Sequence, residues 1–354
     1  MSELPKIDVI IPCFHTHKTL HRTLGSIIAQ DCVEDITVTL VNDADEQDYS
    51  EFVNAFKPFV KIKEIKLEKN GGPGDARQYG LDHTKNPLVT FIDSDDTFSG
   101  AFALKTLRAQ LLVEPQNAMC FSQFLEEQPG NYIGHPQDTV WMFGKLYKRD
   151  FLKKYNVHFM PGSRANEDNG FNMICKLCAN QNEQIKFIQD ITYYWHFKED
   201  SITRINNAQY SYDKSYVGYT NNMIFAIKHA EKMCPFNGNI LQQKVAIMCN
   251  LFEYLVECQA RDKRFYEQNW NCCRKYYKEV YHEIKDKISE QIFSEIYNDV
   301  MRNSYMGNKL AGIIPWIGIS EFMKKLEDEY DPNEEDFPMT DDSTPYPEKE
   351  IEED

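Results

Sequence analysis

Leu88-Val89-Thr90-Phe91-Ile92-Asp93-Ser94-Asp95-Asp96 is the stretch on which the fold turns. Its first five residues are apolar or β-prone and suit a buried strand. The run then breaks into three carboxylates within four residues. That puts acids at a strand's carboxyl end, where open α/β sheets bind ligands. Acids so close repel one another unless a cation or cationic neighbours offset the charge. Asp93 and Asp95 are spaced to reach one hard divalent ion through oxygen. The alternative is a polar turn that caps the next helix.

Upstream, residues 7–12 read as a first buried strand ended by Pro12. Leu20, Leu24, Ile27 and Ile28 recur at helical spacing through 19–30. Residues 36–41 form a β-branched second strand that ends in Asn42-Asp43-Ala44-Asp45. A helix over 48–59 and a strand over 60–67 follow. The loop Asn70-Gly71-Gly72-Pro73-Gly74-Asp75 then leads into a helix from about Ala76, with Asp75 as its N-cap. This alternation predicts an α/β fold: a mostly parallel sheet with helices on both faces.

Downstream, strands are expected at 119–124 and 140–147, and a helix at 148–155. Asn166-Glu167-Asp168-Asn169 reads as an acidic turn opening the helix 171–179. A strand over 185–194 runs into Trp195-His196. After about residue 207 apolar residues fall at helical intervals, in 216–229, 240–258, 270–300 and 308–326. The organisation is 1–206 α/β, 207–326 helical, and 327–354 a disordered acidic tail.

Composition narrows the class. A chain of 354 residues with 42% hydrophobic content is a soluble globular protein of one large domain or two ordinary ones. No apolar run reaches the roughly 18 residues of a transmembrane helix. The first residues lack the basic and apolar regions of a signal peptide. With ten cysteines, this reads as reduced thiols in a cytoplasmic protein. Cys175 and Cys178 lie in an apolar helical run without a second pair at zinc spacing, so core packing is the reading. The net charge of −16 is concentrated: residues 327–354 hold fourteen Asp and Glu against one Lys, with four prolines. That is the composition of a solvated acidic extension.

Seven elements in order resemble the inverting, metal-dependent glycosyltransferases of family 2, which have the GT-A fold. They are Val9-Ile10-Ile11-Pro12-Cys13-Phe14, Val41-Asn42-Asp43, residues 70–81 with their glycine turn and Arg77, Asp93-Ser94-Asp95-Asp96, residues 141–152 with Gly144-Lys145-Leu146-Tyr147, Asn166-Glu167-Asp168, and His196 followed by Ser201-Ile202-Thr203. The resemblance covers roughly residues 6–205. It implies a Rossmann-like GT-A domain, followed here by the C-terminal helical region.

The resemblance also implies roles. A nucleotide-sugar site would draw on Pro12, Phe14, Asp43, Gly72, Arg77, Asp93 and Ser94, with Asp43 contacting a nucleobase, usually uracil. Asp95, with Asp93 and His196, would hold Mn²⁺ or Mg²⁺ at the diphosphate. Asp168 would be the catalytic base and Glu167 would orient it. One departure touches the choice of base: the family commonly has Gly and Ser where this chain has Ala44 and Asp45.

The acceptor is read from the helical region. Arg261, Lys263, Arg264, Arg274 and Lys275 are interleaved with Phe265, Tyr266, Trp270 and Tyr276. Cations between rings suit an anionic polymer; a solvated helical face over an aromatic core is the competing reading. Expected partners are therefore a nucleotide-sugar donor and a glycan, anionic polymer or modified DNA such as hydroxymethylated phage DNA. Peripheral membrane contact and oligomer formation are both compatible with this chain. Two other classes stay open: a non-catalytic GT-A-like binding or assembly module, and a nucleotidyltransferase using the same carboxylates.

Overall fold

Strand β1 (Ile7–Cys13) alternates its side chains between two buried faces, and that alternation organises the first half of the chain. The computed structural model describes residues 4–179, 183–198, 215–235, 237–261, 263–303, 313, 315–335, 337 and 339. It divides into two compact units: Met1–Arg204 with Phe225–Ile240, and Ile205–Ile224 with Leu241–Asp354.

In the first unit, β1 pairs in parallel with β2 (Ile36–Asn42) and β4 (Leu88–Phe91), and β2 pairs in parallel with β3 (Lys61–Lys66). Beyond β4 the sheet becomes mixed. β8 (Lys145–Lys148) runs antiparallel to both β4 and β6 (Asn117–Gln128). β6 pairs in parallel with β9 (Gln184–Trp195), and β9 holds the two-residue β5 (Thr97–Phe98) at the edge. β7 (Asn131–His135) folds back on β6. The described residues thus form a nine-stranded sheet.

Ile7, Val9 and Ile11 share a core with Leu20, Leu24 and Ile27 of α1 (Leu20–Ile28) and with Leu104, Leu107 and Leu111 of α4 (Ala103–Leu112). Ile10 points to the other face, toward α3 (Gly72–Asp82). There Gly80 lies so close that an added Cβ would sit 2.5 Å from Ile10 Cγ2 and 2.9 Å from Val41 Cγ2. Helices therefore cover both faces, as the alternating pattern requires. Phe91 continues this second face and packs edge-on against Phe159 and Phe171 of α6 (Glu167–Cys178). All ten cysteines are buried free thiols.

Local differences from the sequence reading have local causes. The third helix opens at Gly72 rather than near Ala76, because Pro73 presets the first turn without needing an N–H partner. Asp75 sits inside that first turn rather than capping it. Residues 140–144 form a loop rather than part of a strand. Asp138 Oδ1 takes the N–H groups of Val140 and Trp141 in a side-chain turn, and Gly144 closes it at φ +62°. Glu167 and Asp168 lie within the first turn of α6, where acids complement the helix dipole.

Residues Phe225–Ile240, which the sequence assigns to the helical region, group with the first unit. His229 Nε2 meets the Tyr155 carbonyl at 2.8 Å, and the Asn237 side chain donates to the Leu177 carbonyl.

The second unit is helical, with the helix Tyr266–Tyr276 extended by a π-helical turn at Tyr277–Tyr281, the helix Glu290–Asn303 and the helix Ile319–Asp328. Phe322 anchors it, with its ring 4.9 Å from Phe252 and 5.7 Å from Trp270. The expectation of disorder from 327 onward does not hold for residues 327–335. Their glutamates find Arg274, Lys285 and the Trp270 N–H, so this stretch has fixed partners. Residues 340–354 lie outside the described residues. Among the described residues no helix is long and apolar enough to cross a membrane.

Candidate active site

Three parallel strands end side by side. Asp43 follows β2, Asp93 and Asp95 follow β4, and β1 lies between them. Carboxylates from distant parts of the chain are thus gathered at one edge, and the first question is what balances their charge.

Arg77 does much of this. Its side chain, buried on α3, donates from Nη2 to Asp93 Oδ1 at 2.6 Å and from Nη1 to Glu167 Oε1 at 2.8 Å. Two glycines make that bridge possible. Gly80, three residues on, lets α3 lie against the sheet. Gly74 lets the start of α6 approach, since a Cβ there would meet Glu167 Cγ at 3.0 Å. Burial works against the Arg77 charge, but Asp93, Glu167 and Asp168 outweigh it and raise its proton affinity above the usual value. Its Nε–H is buried without a hydrogen-bond partner.

Asp168 is half-buried beside Glu167, and its Oδ1 accepts the Asn169 N–H at 2.8 Å. Burial, then the Glu167 charge, push its carboxyl up to about 8, with Arg77 pulling the other way. Asn166 enters this helix in the left-handed conformation, at φ 60°.

The other sequence candidates divide. Asp95 is paired with Lys198 Nζ at 3.5 Å, and its backbone carbonyl accepts from Arg22. Burial and then the Asp93 charge raise its proton affinity. Asp96 is structural: Oδ2 accepts the Tyr193 hydroxyl at 2.7 Å and Oδ1 the His196 N–H at 2.9 Å. The two ring nitrogens of His196 face groups other than Asp93 and Asp95. Nε2 lies 2.8 Å from Thr97 Oγ1, and Nδ1 lies 3.0 Å from Glu127 Oε2. Among the described residues no three His, Cys, Asp or Glu side chains are grouped to hold a metal. Ser201 lies outside the described residues.

Asp43 has backbone partners of its own. Its two oxygens accept the N–H groups of Gly71 and Gly72, both at 2.8 Å. The carboxylate therefore shapes the glycine turn instead of standing free. Burial still leaves its proton affinity above the usual range. Gly72 needs its φ of +84° for this turn. Pro12 is half-buried, Phe14 is exposed on the surface, and Ser94 is buried.

Several residues near these groups were given no role from sequence. Asn172, on the helix that carries Asp168, donates to the carbonyls of Val140 and Trp141 at 2.9 and 3.0 Å and accepts the Tyr147 hydroxyl. Trp141 stacks on Phe143, which stacks on Tyr193, with Trp195 against both Trp141 and Phe143. Lys145 is fully buried and bound to Asp138 at 2.9 Å. The signal for Lys145 was its position inside an apolar strand; Asn172 left none.

In the second unit, Lys263 and Arg264 are exposed on a short turn. Arg274 reaches Glu329 and Glu334, and Lys275 donates to Asn221 at 2.8 Å. The Arg261 side chain lies outside what is described.

Comparison with known proteins follows the same division. The model of glycosyl transferase family 2 matches residues 8–165. The poly(ribitol-phosphate) beta-N-acetylglucosaminyltransferase TarS of Staphylococcus aureus (strain MW2) is 26% identical over 209 residues, 55% of this chain and 36% of that relative. The chain thus spans little more than a third of that relative's length. The crystal structure of S. aureus TarS 1–349 in complex with UDP-GlcNAc superposes with a TM-score of 0.64 at 18% identity, covering 85% of this chain and 92% of that one. The mannosyltransferase PcManGT from Pyrobaculum calidifontis, in complex with GDP-Man and Mn²⁺, gives 0.50 at 12% identity over 93% and 89%. Residues 8–165 thus match glycosyl transferase family 2, and the fold is that of these glycosyltransferase structures.

Proposed function

We propose that the chain is an inverting glycosyltransferase that moves a sugar from a UDP-sugar to a hydroxyl of a phosphate-bearing polymer. The observation that carries this reading is the Arg77 bridge, which ties the acids after β4 to the Glu167–Asp168 pair. A binding module needs no base beside the donor acids, and the match to glycosyl transferase family 2 favours attack at a sugar carbon over attack at a phosphate.

In this reading Asp168 takes the proton from the acceptor hydroxyl as that oxygen attacks the anomeric carbon. Its raised proton affinity, from burial and Glu167, suits a base working near neutrality. Glu167, held by Arg77, keeps Asp168 in place and maintains that affinity. The turn clamped by Asp43 bounds the nucleotide side.

Asp93 and Asp95 offer oxygen donors that suit Mn²⁺ or Mg²⁺, since Arg77 occupies only Oδ1 of Asp93 and Lys198 is 3.5 Å from Asp95. These two residues would hold the ion, which when bound would offset charge on the departing nucleoside diphosphate. The Mn²⁺ of the Pyrobaculum enzyme supports a divalent ion, and the UDP-GlcNAc of the TarS complex supports uridine. The poly(ribitol-phosphate) in the name of TarS supports a polymer acceptor.

Calorimetry of UDP and GDP with and without Mn²⁺ tests the donor side. UDP binding that needs Mn²⁺ is the expected outcome, lost in Asp95→Asn and kept in Asp168→Asn. No binding of either diphosphate would put the non-catalytic module first.

A further inference from the structure

The helix Tyr266–Tyr276 and the turn Tyr277–Tyr281 carry the basic–aromatic stripe noted in the sequence, and its two kinds of residue part company in the fold. Trp270, Tyr276 and Tyr277 are buried. The cationic heads and the polar ends of Trp270 and Tyr277 line one face, and that face is covered by the chain's own acids. Trp270 Nε1 donates to Glu329 Oε2 at 2.8 Å. Arg274 lies 2.7 Å from the Glu334 carboxylate and 3.6 Å from Glu329. Tyr277 and Lys285 both donate to Glu327, and Lys278 donates to the Glu334 carbonyl. The Phe337 ring then lies over both Arg274 and Lys278, at 5.7 and 5.9 Å.

Three carboxylates within eight residues, followed by a ring, thus lie along a row of five N–H and O–H donors. The row comprises Trp270, Arg274, Tyr277, Lys278 and Lys285. The helix ends at Asp328, and Pro332 falls in a turn beyond it. Lys285 and Tyr277 hold Glu327 below the usual carboxylate range, so it stays ionised. The covering is nevertheless loose. Glu327 and Glu329 retain 43% and 37% of their side-chain exposure, and pairs exposed to that degree contribute little each.

We propose that this face is a docking surface for a linear polyanion, and that the acidic stretch 327–335, with Phe337, occupies it in the free protein as an intramolecular stand-in for that ligand. The inference rests on the reading of the acceptor as a phosphate-bearing polymer and names a surface that would hold one. A polymer with regularly spaced phosphates offers what the glutamates offer, with more charge per unit length. Tethering gives the glutamates a high effective concentration. They therefore lower the apparent affinity of any external polyanion by the fraction of time they are seated.

The test uses the full chain and long-chain inorganic polyphosphate as probe, with affinity read by calorimetry at low salt. Glu327→Gln/Glu329→Gln/Glu334→Gln is expected to bind polyphosphate about tenfold tighter than the parent, the range in which removing a tethered competitor acts. Arg274→Ala/Lys278→Ala is expected to lose binding. Equal affinity of the triple variant and the parent overturns the proposal. Should the triple variant unfold, hydrogen exchange of the parent decides. Polyphosphate should speed exchange of the amides in 329–335, and no change there overturns the proposal equally. Mn²⁺-dependent UDP binding, measured on the same samples, separates failure of this surface from failure of the donor-site reading.

Discussion

Two acid-rich regions of this chain meet the same electrostatic problem in opposite ways. At the sheet edge, Asp93 and Glu167 share one buried guanidinium, and Asp168 beside them has its proton affinity driven upward. In the second unit, Glu327, Glu329 and Glu334 meet several cations, each partly in water. The first arrangement is tight and frustrated: one cation serves more acids than it can neutralise. The second is diffuse and nearly satisfied. Sites that do chemistry keep unresolved charge, whereas surfaces that dock a flexible partner distribute it.

Four measurements would break or sharpen that contrast. The largest effect is expected at Asp168. Asp168→Asn should lower turnover about a thousandfold, the usual scale for removing a general base, while the thermal unfolding midpoint stays near the parent's. Full turnover in that variant would remove the base assignment and with it the functional meaning of the tight cluster.

Next is Arg77→Ala, which leaves the buried Glu167 and the partly buried Asp93 without their shared cation. A loss of about 3–5 kcal/mol in urea unfolding is expected. Arg77→Lys should not restore it, since one ammonium cannot replicate the forked geometry. A loss below about 1 kcal/mol, the scale of exposed pairs, would make the cluster no different from the tail.

The pH dependence of kcat/KM is a third measure. A carboxyl raised to about 8 is mostly protonated below that pH, so the fraction able to act as a base falls as pH drops. Activity should therefore climb as pH rises, with a midpoint near 8. A limb centred near 4, the ordinary carboxylate value, would show that the burial and the Glu167 charge do not act on Asp168 as described.

The smallest effect belongs to the second unit. Arg274→Ala should cost no more than about 1 kcal/mol in denaturant unfolding at low salt, and less again at high salt, where exposed pairs are screened. A larger, salt-independent loss would mean that the acidic stretch is part of that unit's core.

The contrast also marks what the sequence could and could not say. The run ending at Asp93 and the alternation of apolar strands with amphipathic helices are local periodicities, so the parallel half of the sheet was legible. So was the membership of Asp168 in an acidic element opening a helix. Partner choice was not. Nothing in the chain's one-dimensional order tells that Arg77 reaches 16 residues on to Asp93 and 90 residues on to Glu167. Nor does it tell that His196 is spent on Thr97 and Glu127, or that Asp43 is spent on two backbone amides. Composition did not reveal the partners of residues 327–335 for a related reason. An acidic stretch lacks the means to build a core, but it needs none when a basic face nearby supplies its partners.

Asn172 carries a different lesson. It grips the loop bearing Trp141 through two main-chain oxygens, from the same helix that bears Asp168. A tether that reads backbone alone is indifferent to the side chains it holds. Mutations in 140 and 141 can therefore accumulate without changing how the loop hangs from its helix. The helix that bears Asp168 is thus uncoupled from the side chains presented beside it, so that change at the loop need not begin by dismantling the site.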